Sequence, residues 1–230
     1  MYAVLYDIHG NLPALEAVLG DASVRGARRF LLGGDYALFG AWPGETVARL
    51  EELQDARWLR GNTERWTARP QEGPDQEPQA GAIAACREAL DPAAVERLAA
   101  LPEQAVIDGT RFCHASPISD MRSFLPEPGP DDAELLGDSA EPRLVFGHTH
   151  LAFRRRMAGP RAEVELINPG SVGLPLDGDP RAAYALLGPE GEIEPRRVAY
   201  EHEASAAALR ERFAGEWVAI VAGRLERARP

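Results

Sequence analysis

Three short apolar runs, at 2–7, 29–34 and 56–60, alternate with two stretches of helical periodicity. No other feature constrains the fold of this chain as strongly. The first helical stretch, Asn11 to Gly20, opens on a capping residue, has Pro13 early and carries Leu15, Val18 and Leu19. The second, Pro43 to Leu53, spaces Val47, Leu50 and Leu53 along one helical face. A β-α-β-α-β order predicts a parallel sheet with right-handed crossovers. Such sheets bind ligands beyond the carboxyl ends of their strands. Asp7, Asp35 and Asn62 fall there.

Four of the five histidines also follow strand-like runs, in Asp7-Ile8-His9-Gly10-Asn11, Cys113-His114 and Gly147-His148-Thr149-His150. Residues two apart on an extended segment share a face, so Asp7 with His9, and His148 with His150, are expected to offer paired ligands to one metal or to adjacent metals. Imidazoles, two aspartates and an asparagine make the nitrogen- and oxygen-rich donor set of a divalent metal centre. His202 lies outside every motif and reads as structural. Cys113 should point away from His114 into the core.

Beyond residue 69 the pattern changes. Residues 69–79 read as a polar, proline-rich loop, followed by a helix near 80–90 and a second from Asp91 to about Ala100. Asp108-Gly109 between 104–108 and 110–114 is a hairpin signal. The segment 117–142, rich in proline and acid, is expected to be a lid or loop with a short helix. Strands are expected at 143–147, 151–157, 162–167, 182–187 and 192–200, and one helix over 204–227. That helix carries Leu209, Phe213, Trp217, Ile220 and Val221 as an apolar stripe, expected to pack on the protein's own sheet. The 230 residues suit one large domain or two small ones, and a single domain over 1–230 is expected.

The net charge of −11 argues against nucleic-acid polymers and anionic membranes as partners, while metal charge would still admit a small anionic substrate. Two cysteines give no disulfide framework, and no apolar run approaches membrane-spanning length. With Met1 leading directly into a strand, a cytoplasmic location is expected. All 25 basic residues are arginine, which carries no functional reading.

Taken in order, the Asp7-to-Asn11 motif, Gly33-Gly34-Asp35, Gly61-Asn62-Thr63-Glu64, the lone His114, Gly147-to-His150 and Asn168-Pro169-Gly170-Ser171-Val172-Gly173 resemble the calcineurin-like metallophosphoesterases, most closely the small bacterial and archaeal phosphodiesterase branch. The resemblance runs from Met1 to about Tyr200. It implies a four-layer α/β/β/α sandwich of two mixed sheets flanked by helices. It also implies two divalent ions, one held by Asp7, His9 and His150, the other by Asn62, His114 and His148, with Asp35 bridging. The implied activity is hydrolysis of small phosphodiesters or nucleotides by a hydroxide bridging the ions, with Asp35, Asn62 and His114 as catalytic residues. Mn²⁺ is the expected ion, and Fe, Zn²⁺ or Ni²⁺ would also suit these donors.

Supporting roles near the metals are expected for Asn11, Asn168 and Ser171, because a ligating histidine needs an acceptor on its other nitrogen. Asn62 and Arg65 are the expected substrate contacts. Tyr36 and Phe39 are candidate walls for a base or aryl group, with core packing favoured for Phe39. Thr63 stands where many members have a histidine that protonates the leaving group, and a threonine cannot do this near neutral pH. The Asp-Arg pair of protein serine/threonine phosphatases is missing after Asp35, which disfavours that activity. Tyr6 replaces the serine that commonly precedes the first aspartate. The alternative reading is a noncatalytic metal-binding interaction module, as in the retromer subunit of this fold. Homo-oligomers are allowed.

Overall fold

A computed structural model describes all 230 residues. The expected alternation is present: β1 (Tyr2–Leu5), α1 (Leu12–Val24), β2 (Arg29–Leu32), α2 (Pro43–Glu51) and β3 (Ala56–Trp58). β1 pairs with β2, and β2 with β3, in parallel. Two late strands, β9 (Ala182–Leu187) and β10 (Ile193–Val198), extend the sheet antiparallel on the other side of β1, giving the order β10-β9-β1-β2-β3.

A second mixed sheet has the order β4-β5-β6-β8-β7. Its strands are β4 (Gln104–Ile107), β5 (Thr110–Cys113), β6 (Arg143–Val145), β7 (Phe153–Ala158) and β8 (Glu163–Asn168). The β4–β5 hairpin turns at Asp108 and Gly109, both at positive φ. β5, β6 and β8 run parallel, so three more carboxyl ends are available to a site.

The twofold period of β1 builds two layers of core at once. Ala3 and Leu5 face outward into a cluster with Leu15 and Val18 of α1, Tyr184 of β9, and Trp217 and Val221 of a C-terminal helix. Tyr2, Val4 and Tyr6 face inward, against Phe112, Val145 and Ile167 of the second sheet. The Tyr6 hydroxyl donates to the Val145 carbonyl at 3.0 Å, tying the sheets together where the site begins. A Cβ on Gly33 would lie 2.0 Å from the Tyr6 ring, so this tyrosine requires a glycine beside it. At position 6 the chain thus uses its hydroxyl between the sheets.

One expectation is corrected, one is met in its short helix, and one helix is new. The region 204–227 is two helices, α7 (His202–Arg212) and α8 (Glu216–Arg227), because Phe213 is extended and Gly215 takes φ +118°. The helices pack on the protein's own core, with Leu209, Trp217 and Val221 buried. The segment 117–142 forms the outer covering of the second sheet: Phe124 and, from α6 (Asp132–Leu136), Leu135 and Leu136 are buried with Cys113, Leu144, Phe146 and Leu166. Asn62 opens an unexpected helix, α3 (Asn62–Ala68). α4 (Gln79–Ala89) and α5 (Pro92–Ala99) follow and join the helical layer on the outer face of the first sheet, with Ile83, Cys86, Val95 and Leu98 in its core. No helix is long and apolar enough to cross a membrane.

Candidate metal centre

The candidate ligands lie just beyond the carboxyl ends of β1, β2, β3, β5 and β6, from both sheets. The strands end earlier than the sequence suggests, β1 at Leu5 and β6 at Val145. The Asp-x-His and His-x-His pairs therefore do not sit on extended chain. Asp7 (φ 54°), His9 (φ 50°), Asp35 (φ 61°), His148 (φ 67°) and His150 (φ 59°) are all left-handed. Asp and His tolerate this region better than most residues, at a cost of about 1–3 kcal/mol each. Neighbouring backbone enforces it. His9 N–H donates to the Asp35 carbonyl at 2.8 Å, Gly173 N–H to Asp7 at 3.0 Å, and Gly147 N–H to His114 at 2.8 Å.

Two groups of donors result. Asp7, His9 and His150 bring ligand atoms within 4.8 Å of one another, and so do Asp7, Asp35 and His114. Asp7 belongs to both groups, and Asp35 reaches from one toward the other, with Oδ2 3.7 Å from His9 Nε2 and Oδ1 3.4 Å from His114 Nε2. Asn62 Oδ1 lies 2.8 Å from His114 Nε2 and 3.0 Å from His148 Nδ1. All seven expected ligands are thus brought together. The Asp7 carboxylate also accepts the His148 N–H, at 2.9 Å to Oδ2, so the first and last motifs hold each other.

The hydrogen bonding of these rings selects for a cation. His9 Nδ1 faces the Leu38 carbonyl at 2.9 Å, His114 Nδ1 the Gly33 carbonyl at 2.9 Å, and His150 Nδ1 the Leu174 carbonyl at 2.5 Å. A carbonyl only accepts, so each ring carries its proton on Nδ1 and offers a lone pair at Nε2. His9 Nε2 and His150 Nε2 then confront each other at 3.0 Å, lone pair against lone pair. His114 Nε2 confronts the Asn62 oxygen in the same way. Burial lowers the proton affinity of all four rings, taking His148 and His150 to a pKa of about 3. A proton therefore does not relieve the conflict at neutral pH.

The carboxylates carry the complementary strain. Burial, then the Asp35 charge, holds Asp7 well above the usual range, and burial raises Asp35 to about 7. A buried set of electron-pair donors with no cation of its own fits divalent metal, which would satisfy every one of them.

Around the donors stands a second set of contacts. Glu64, quoted in the motif without a role, accepts backbone N–H bonds from Asp35 at 2.9 Å, Tyr36 at 2.8 Å and Gly61 at 2.8 Å. It thereby clamps the turn after β2 to the start of α3. The signal was in the sequence, since a Glu at the third helical position reaching back to the cap is half of a capping box. Gly61 is needed beside it, because a Cβ there would fall 2.2 Å from Asp35 Oδ1. Burial, then the Asp35 charge, raises Glu64 to about 7. Thr63, in the histidine position, gives its N–H to Asp35 Oδ1 at 3.1 Å.

The expected supporting residues act on backbone rather than on histidine rings. Asn168 donates to the Gly147 carbonyl at 2.8 Å, and Ser171 to the Asp7 carbonyl at 2.7 Å. Asn11 caps α1 and bonds Gly173, Tyr200 and Ser205, so it joins the 168–173 loop to α7. The acceptors for the rings are main-chain carbonyls, which a residue-type pattern does not display. Arg65 forms a bidentate pair with Asp120, both bonds at 2.8 Å. Of the two aromatic candidates, Tyr36 is a core residue, and Phe39 packs on the core as expected while lying beside the site. Tyr36 is fully buried, its hydroxyl on the Leu32 and Leu59 carbonyls. Phe39 is the partly exposed one, 5.4 Å from the His9 ring.

The family model of the calcineurin-like phosphoesterase superfamily domain matches residues 1–192. An uncharacterised protein of Methanocaldococcus jannaschii is 31% identical, with 95% of each chain covered. The phosphodiesterase YfcE of Escherichia coli K12 is 28% identical over 79% of this chain and 83% of its own. The crystal structure of a metallophosphoesterase from Sphaerobacter thermophilus superposes with a TM-score of 0.82 at 26% identity, covering 99% of this chain and 98% of that one. The fold, the convergent donors and the match over most of the chain place it in the small bacterial and archaeal branch: the chain belongs to the calcineurin-like phosphoesterase superfamily and is a metal-dependent phosphoester hydrolase.

Proposed function

We propose that the protein is a phosphodiesterase for small phosphodiesters or nucleotides that works with two divalent ions. The observation that carries this reading is the buried set of lone pairs at the strand ends, in which His9 Nε2 and His150 Nε2 face each other at 3.0 Å. Asp7, His9 and His150 would hold one ion, and Asn62, His114 and His148 the other, with Asp35 reaching both. When bound, two such ions supply Lewis-acid polarisation of phosphoryl oxygens and a water of lowered pKa. The mixed N/O donors suit Mn²⁺, with Fe, Zn²⁺ and Ni²⁺ as competitors.

The chain's own residues prepare the rest. The carbonyls of Leu38, Gly33 and Leu174 fix three imidazoles, so those ligands need no reorientation when a phosphate arrives. Thr63 offers no proton to a departing alkoxide. The reaction therefore favours leaving groups that are stable as anions. Asn62, buried between His114 and His148, is the proposed substrate contact. Arg65, turned to Asp120 here, contributes a substrate contact only if that pair opens. The −11 charge favours small substrates over nucleic-acid polymers. The name of the relative YfcE is in accord with a diester preference.

The test is hydrolysis of bis-p-nitrophenyl phosphate by metal-stripped protein supplied with Mn²⁺, beside the corresponding monoester. Metal-dependent turnover that favours the diester is expected. Failure to turn over either ester with metal bound would overturn the reading and favour the interaction module, which the loss of the histidine at Thr63 also allows.

A further inference from the structure

Nine residues other than glycine take left-handed backbone, and five of them are candidate ligands. Of the remaining four, Asp55 and Asp108 have the short polar side chain that this region tolerates, and Ala228 has only a methyl. Phe39, at φ +80°, is the exception. A bulky apolar residue is strained there, and glycine would make the same turn without strain. Core packing gives an incomplete reason for the ring, because Phe39 touches the outer core yet stays partly exposed.

The loop that carries Phe39 is fixed to the His9 segment on both sides. His9 N–H and Gly10 N–H donate to the carbonyls of Asp35 and Tyr36, each at 2.8 Å, and Trp42 N–H donates to the Gly10 carbonyl at 2.9 Å. The Leu38 carbonyl faces His9 Nδ1 at 2.9 Å. A Cβ on Gly40 would fall 2.0 Å from the His9 carbonyl oxygen, so the loop lies directly on the His9 backbone. These contacts dictate the turn at Phe39, but not its phenyl group. The ring centre is held 5.4 Å from that of His9, whose Nε2 is turned to the donors. Phe39 has the one ring other than a histidine that packs on a candidate ligand. Trp42, also partly exposed, lines a small cavity with Phe39, His9 and Leu174.

We propose that Phe39 is a specificity-determining residue whose ring stacks on the base of a nucleoside phosphoester, at the His9 end of the metal centre. A base and a phenyl ring stack through flat apolar faces, which every nucleobase has. A nucleotide carries both groups this arrangement receives, a phosphate for the ions and a flat ring for Phe39. Backbone strain that the fold sustains beside a site is a sign of such a task, since an unstrained residue would otherwise serve. The inference rests on the phosphoesterase reading and names its substrate class, but its test does not require turnover.

The experiment is calorimetric titration of Mn²⁺-loaded protein with adenosine 5′-monophosphate and with ribose 5-phosphate, for wild type, Phe39→Leu and Phe39→Tyr. The two ligands share a phosphate and a sugar and differ in the base. Wild type is expected to bind the nucleotide about 5- to 150-fold more tightly. Phe39→Leu keeps an apolar side chain on the same turn. It should cut that ratio at least about threefold with metal content unchanged, and Phe39→Tyr, which keeps the ring, should retain it. A purely structural phenylalanine would move the two affinities together and leave their ratio alone. Equal affinity of wild type for the two ligands, or binding of neither, would overturn the proposal. So would a ratio unchanged in Phe39→Leu, or one lost equally in Phe39→Tyr. A wild type that prefers the nucleotide through Phe39 but hydrolyses no diester would sink the phosphodiesterase reading and leave this inference standing.

Discussion

Glu64→Gln removes one oxygen from a carboxylate that clamps two loops of the metal centre. Oε2 accepts from Asp35 N at 2.9 Å and Gly61 N at 2.8 Å, and Oε1 accepts from Tyr36 N at 2.8 Å. The amide keeps a single acceptor oxygen. Its better placement retains the Asp35 and Gly61 bonds and turns an NH₂ toward the Tyr36 N–H, leaving that buried donor unpaired. An unsatisfied buried donor costs about 1–3 kcal/mol, and each retained bond loses its charge assistance, up to about 1–2 kcal/mol. Relief from burying a charge offsets part of this, for a net loss of about 2–4 kcal/mol. In a chain of this size that lowers the thermal midpoint by roughly 5–15 °C. Urea denaturation of the metal-free protein at pH 8 would measure it, with the m-value unchanged. The same variant should bind metal more weakly, since Asp35 loses its backbone restraint. A loss below about 0.5 kcal/mol with wild-type metal affinity would refute the clamp.

Other consequences follow from the same geometry. Asp35 has its pKa raised to about 7, so its carboxylate must lose a proton before ligating. Metal affinity should fall as pH drops through 7, more steeply than a single proton requires because Asp7 is raised as well, with proton release on binding at pH 6 measurable by calorimetry in two buffers. In the metal-free protein, a raised acid favours folding at low pH, a contribution lost as pH climbs from about 4 through 7. His148 and His150, held at about 3, act oppositely, destabilising the fold as pH drops below 6.5. Chelator-treated protein should therefore resist urea less at both ends of that range, and added Mn²⁺ should abolish the loss at pH 8. Gly33→Ala, which sets a methyl 2.0 Å from the Tyr6 ring, should destabilise by at least about 1–3 kcal/mol in urea titrations, and a neutral result would contradict the packing. Across a series of aryl phosphodiesters, log kcat should fall steeply as leaving-group pKa rises. A flat dependence would reveal a general acid that Thr63 cannot be.

The parallel sheet and the gathering of the candidate ligands were legible because each rests on a local pattern. Apolar runs ending in Asp7 and Asp35 announce strand ends, and the motif order named a family whose two sheets were then found. What stayed hidden depends on backbone. The left-handed φ of five candidate ligands cannot be read from Asp-x-His spacing, which had implied extended chain. The carbonyls of Leu38, Gly33 and Leu174 have no side-chain signature. Asn62 opening α3 was missed because helix α3 is short, and its Gly61 cap offers no side-chain oxygen. Tyr36 was misread as a pocket wall because the direction of a side chain just past Asp35 depends on the left-handed turn there.

The central claim is that two divalent ions share Asp35 within one buried set of lone pairs. Metal-stripped protein should be dialysed against Mn²⁺ at pH 8, and bound metal counted by elemental analysis for wild type and Asp35→Asn. The account predicts about two ions per wild-type chain, and a clear loss of affinity at both positions in the variant. One ion or none per wild-type chain, or two ions held equally well by Asp35→Asn, would contradict it.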